Sequence, residues 1–69
     1  MPLSYCSSGQ SVLIRKIGGK DDVKRFLNSL GLIEGEHVTV VSELGGNLIV
    51  NVKDTRIALD KALAQRIMI

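Results

Sequence analysis

The stretch NSLGLIEGEHVTVV, Asn28 to Val41, sets two glycines four positions apart between the end of one apolar pattern and the start of another. Upstream, Val23, Phe26, Leu27 and Leu30 fall at i, i+3, i+4 and i+7, with Lys24, Arg25 and Asn28 on the other side. That pattern predicts an amphipathic helix over Asp21 to Leu30. Gly31 is placed to stop it, because the residue after a helix often takes a positive φ that costs an L side chain about 1–2 kcal/mol and suits glycine. Leu32 then packs back on Leu27, the apolar contact that accompanies this ending. Downstream, Val38 and Val40 alternate with His37, Thr39 and Val41, which predicts a strand over Glu36 to Ser42 with one inward face. Gly35 serves the turn that leads into it.

Working outward from this junction, Gln10 to Ile17 (QSVLIRKI) reads as a β-branched strand ended by Gly18 and Gly19. Asp21 and Asp22 suit the first turn of the helix, where they meet unpaired amides and the positive end of its dipole. Gly45 and Gly46 form a hairpin turn, after which Leu48, Val50 and Val52 face inward. Asp54 and Thr55 offer a further turn into a strand over Arg56 to Leu59. Asp60 caps one helical turn through Ala64, and Gln65 to Ile69 is the last strand. The expectation is a mainly β fold with one inserted helix, a small five-stranded barrel, built as a single domain over residues 1–69.

Composition narrows the function classes. With 69 residues, 45% of them hydrophobic, and only Phe26 and Tyr5 as aromatics, the core is aliphatic and leaves little room for a deep substrate pocket. A net charge of +2, with Lys and Arg scattered, is a weak footprint for a nucleic-acid binder, and none is expected. The single cysteine, Cys6, has no partner for an internal disulfide, and MPLSYCSSGQ has neither the basic nor the apolar region of a signal peptide, which favours the cytoplasm. No apolar run is long enough to enter a bilayer directly.

The candidate chemistry is sparse. Gly18-Gly19-Lys20 lacks the spacing of a phosphate loop, and Asp21 and Asp22 would repel the anion. Cys6 and His37 are the only nucleophile and base pair of near-neutral pKa, and they lie far apart in sequence, so no catalytic residue is expected. Cys6 reads as a core residue and His37 as a surface histidine. Glu34, Glu36 and His37 could make at most a weak surface metal site, because adjacent strand residues point to opposite faces. Val41, Ile49 and Leu13 point outward, with Ile33 on a turn, an apolar surplus that either the helix or a partner covers.

The order L-x-x-C-x-x-G-x-x-V-x-I-x-x-I-G-G, L-G-L-x-x-G-x-x-V-x-V, G-G-x-L-I-V-x-V and R-I-A-L-x-x-x-x-A, closing on I-x-I, resembles the FeoA family of ferrous iron transport accessory proteins along nearly the whole chain. Leu30, Gly31, Leu32 and Gly35 match that family's signature turn. Cys6 falls where the family often has leucine, and Ser8 stands where many members have proline. The resemblance implies an SH3-like barrel with an inserted helix. It further implies a non-enzymatic cytoplasmic protein, peripheral to the inner membrane, that binds and modulates the cytosolic portion of the FeoB ferrous iron transporter. It supplies no catalytic residue and no cofactor. For the contact we expect Lys24, Arg25 and Asn28 of the exposed helix face together with Ile33, because the core does not need them. The alternative is a soluble transition-metal-binding sensor or carrier domain. Weak self-association through the outward apolar residues stays open.

Overall fold

A computed structural model describes all 69 residues. A short 3₁₀ turn, Leu3–Tyr5, opens the chain. Strands β1 (Ser11–Leu13) and β2 (Lys16–Ile17) follow, then helix α1 (Asp21–Ser29), β3 (His37–Leu44), β4 (Asn47–Val52), β5 (Thr55–Asp60), the single helical turn α2 (Lys61–Ala64) and β6 (Ile67–Met68). Four strands form an antiparallel sheet in the order β1-β3-β4-β5, and β2 pairs with β6 in a second small sheet. The expected mainly β fold with one inserted helix is present.

The predicted first strand, Gln10 to Ile17, is two strands, so the tally is six and not five. The Ile14 N–H still donates to the Glu36 carbonyl at 2.9 Å, beside β3, whereas the Arg15 N–H donates to the Met68 carbonyl at 2.8 Å, beside β6. One extended run therefore changes partner between Ile14 and Arg15. That change is the corner at which the two sheets meet, in the manner of a strongly bent barrel. The last strand is correspondingly short, because only Ile67 and Met68 find partners in β2.

The Asn28–Val41 junction folds as its residues require. Gly31 has φ 96° and Gly35 has φ 88°. The Leu32 N–H donates to the Leu27 carbonyl at 3.1 Å and the Gly31 N–H to the Asn28 carbonyl at 3.0 Å, the paired bonds of a Schellman ending. Leu27 and Leu32 are both fully buried in one core cluster. At the other end of α1 the cap position is Lys20, without a side-chain bond. Asp22 accepts from the Val23 N–H at 2.9 Å, and Asp21 makes no capping bond. Asp60 does cap α2, accepting from the Leu63 N–H at 2.8 Å.

The core contains only apolar side chains: Val38, Val40, Leu48, Val50, Val52 and Leu59 from the four-stranded sheet, Ile17 and Ile67 from the two-stranded one, Leu27 from α1, Ala64 from α2, and residues of the connecting segments, with Cys6 among them. Within β3 the register slips. Val40 pairs with Val50 and Ser42 with Ile49, which leaves Val41 as an extra residue in a β-bulge. Beyond the bulge Glu43 lies opposite Leu48, on the core-facing side, and Leu44 turns out to solvent, 73% exposed. The β4–β5 turn is Lys53-Asp54, one residue earlier than expected, and both residues have positive φ, 49° and 64°.

Candidate partner-binding surface

α1 is seated by Leu27, with Val23 and Leu30 half-buried on one side of it. Each helical residue advances by about 100°. Lys24 and Asn28, one turn apart, therefore share one flank, Arg25 points away from the core, and Phe26 lies on the opposite flank. Arg25 and Asn28 are exposed, as expected, whereas Lys24 is half-buried. Ile33 lies beyond the helix, 36% exposed, in the turn where the Glu36 N–H donates to its carbonyl at 3.1 Å.

Phe26 departs from its expected place. The helical spacing places it in the packed stripe, yet it is 52% exposed. A short helix on a small, curved sheet can seat only a narrow stripe, and Leu27 with Val23 and Leu30 fills it. The signal was present in the sequence: Phe26 is a full 100° from Leu27, on the rim of the stripe. The outer side of α1 thus carries a cation, an amide and an aromatic ring. A shallow groove of about 290 Å³ lies between Met1, Val12, Leu13, Arg15 and Ile69.

Cys6 is buried, and burial pushes its thiol above the usual range, which disfavours the thiolate. His37 is exposed and lies opposite Leu13 on β1. Glu36 is turned to Lys53 in an ion pair of 3.8 Å. No three His, Cys, Asp or Glu side chains converge anywhere in the fold.

The FeoA domain family profile matches residues 1–69. A Methanocaldococcus jannaschii relative, named provisionally as Fe(2+) transport protein A, is 29% identical over 68 residues, which is 99% of this chain and 83% of that one. A crystal structure of an iron uptake regulatory protein, FeoA, superposes with a TM-score of 0.90 at 33% identity, covering 97% of this chain and 89% of its own. The Stenotrophomonas maltophilia FeoA, solved in complex with zinc and described as a unique procaryotic SH3 domain protein, is 32% identical with a TM-score of 0.84, covering 99% of this chain and 87% of that one. The bent strands, the helix inserted after β2 and the Leu30-Gly31-Leu32 ending are thus parts of one SH3-like architecture, and the chain belongs to the FeoA domain family.

Proposed function

We propose that this chain is a non-enzymatic accessory module of ferrous iron uptake that binds the cytosolic portion of a FeoB-type transporter and modulates it. The observation that carries this reading is the match of the whole chain to the FeoA domain, supported by relatives named for iron transport. The S. maltophilia relative is itself described as a candidate ferrous iron transport activating factor. Ferrous iron is in this reading the transporter's cargo, not a group held by this chain. The module works at the cytoplasmic face and reaches the membrane through its partner; no helix here is long and apolar enough to cross a bilayer.

Arg25, Asn28 and Lys24, with Ile33 beside the helix end, are the proposed contact. Phe26 joins them, because an exposed aromatic ring next to an arginine is the composition of interface anchors. The test is an amide-resolved NMR titration of the ¹⁵N-labelled domain with the cytosolic portion of the transporter. Saturable shifts centred on α1 and the Ile33 turn are expected. A well-dispersed spectrum with no shift along α1 would remove this surface from the proposal.

A further inference from the structure

Strand β5 (Thr55–Asp60) ends the four-stranded sheet, with β4 on one side and no strand on the other. The direction of its free backbone groups follows from the turn before it. A two-residue loop, Lys53-Asp54, makes Val52 and Thr55 a hydrogen-bonded pair, and such pairs alternate along an antiparallel ladder. Thr55, Ile57 and Leu59 therefore turn their N–H and C=O groups to β4, while those of Arg56 and Ala58 point out from the sheet. Neither residue bonds to the backbone of a turn, loop or cap.

Open edges are usually blunted by shortness, proline, lysine or a bulge. The other outer strand, β1, has three residues, but β5 has six, without proline, lysine or a break in its register with β4. Its only charges are Arg56 and Asp60. These two and Ala58 between them are exposed on one face, opposite to buried Leu59. Arg56 makes no ion pair within the chain, and Asp60 caps α2 through one carboxylate oxygen, leaving the other for a second partner.

We propose that the free edge of β5 pairs antiparallel with β5 of a second copy of this chain, about a two-fold axis at Ala58. Two separate requirements agree on that register. Hydrogen-bonded pairs across the new seam can join only residues whose backbone groups point outward, so Arg56, Ala58 and Asp60 must meet one another. An axis at Ala58 sets Ala58 opposite its own copy and Arg56 opposite Asp60 of the second copy, twice over, and cross-strand neighbours of opposite charge attract. An axis at Arg56 or Asp60 would set like charges face to face, and one at Ile57 or Leu59 would leave a charge opposite Ala58. On the core side, half-buried Ile57 falls opposite Leu59 of the second copy. Two four-stranded sheets become one continuous sheet. A single strand pair stays below the roughly 1,200 Å² of stable complexes, so a dissociation constant of about 0.1–1 mM is expected. The contact uses neither α1 nor Ile33 and does not rest on the transporter reading.

The test is ¹⁵N relaxation and ¹H,¹⁵N spectra of the native chain at about 0.05 mM and about 2 mM, which bracket that constant. The rotational correlation time should rise toward twofold, with shifts centred on Arg56 to Asp60. A mixture of labelled and unlabelled chains should show an intermolecular contact between the Hα atoms of Ile57 and Leu59, the close pair of this register. Ala58→Pro removes an N–H that β4 does not use, so it should fold and lose the concentration dependence. Arg56→Glu sets a like charge against Asp60 and should weaken association roughly tenfold, whereas Arg56→Lys should retain it. An unchanged correlation time over that range would overturn the proposal, as would association that shifts residues outside β5. Association undiminished in Arg56→Glu would overturn it too, even if Ala58→Pro fails to fold. So would a chain that stays monomeric alone while its Arg56–Asp60 amides shift on adding the transporter's cytosolic portion, which would give the edge to that partner instead.

Discussion

At Gly31 the chain needs a left-handed residue and little else: a Cβ built there would meet Val52 Cγ1 at 3.8 Å and Lys53 Cδ at 3.9 Å, ordinary contact distances. The glycine is required by its φ and not by crowding. Gly31→Ala should therefore lower stability by about 1–2 kcal/mol, the cost of the left-handed conformation for an L residue, and urea denaturation will measure it without a change in slope. Cys6 offers a second residue-scale test. Burial raises its pKa in the folded state, so the folded chain holds the thiol proton more tightly than the unfolded chain does. The stability tied to that proton is fully present below the unfolded thiol pKa and is lost as pH rises through the folded value. Urea midpoints of the native chain should thus decline above about pH 8.5, and Cys6→Ala should flatten that decline whatever it does to the midpoint itself. Both residues were legible beforehand, because a helix stop and a small apolar side chain are local properties of the sequence.

The elements were legible where a period was unbroken and obscure where pairing changed. The α1 ending, the inward set Val38, Val40, Leu48, Val50 and Val52, and the Asp60 cap follow from spacing alone. The split between β1 and β2 does not, because nothing in the residues Ile14 and Arg15 marks that one bonds to Glu36 and the next to Met68. The bulge leaves one trace, the consecutive β-branched pair Val40-Val41, and the alternation alone does not place Glu43 opposite Leu48. The β4–β5 turn falls on Lys53-Asp54, one residue before the position that composition favours, because lysine is a poor candidate for φ 49°. That misfit is itself testable. Joining Val52 and Thr55 through Asn-Gly, as in Lys53→Asn with Asp54→Gly, supplies the residues that two-residue hairpins prefer. It should raise stability by about 1 kcal/mol after the small loss of the exposed Glu36–Lys53 pair, read as a higher melting temperature.

At the scale of the whole molecule, the core is built from one side of every element, and the outer side of α1 is left to chemistry that folding does not need. Reversing both charges, Lys24→Glu with Arg25→Glu, should weaken binding to the transporter's cytosolic portion by roughly tenfold or more while the melting temperature moves little. A titration with the double variant alongside a thermal melt separates the two effects, and unfolding of the variant would mean that the half-buried Lys24 matters to the fold. The fold class was readable from composition and turns, whereas the contact surface was readable only as a leftover, since nothing in one sequence marks which exposed residues a partner uses. A last property follows from how the chain is tied. The Ile69 N–H donates to the Met1 carbonyl at 2.8 Å, and Pro2 bridges to Met68, so positions 1 and 69 are held side by side. The order in which the strands are threaded is therefore separable from the shape they make: a short peptide link across this seam, with the backbone opened between Gly45 and Gly46, gives a circular permutant that retains every native strand pairing.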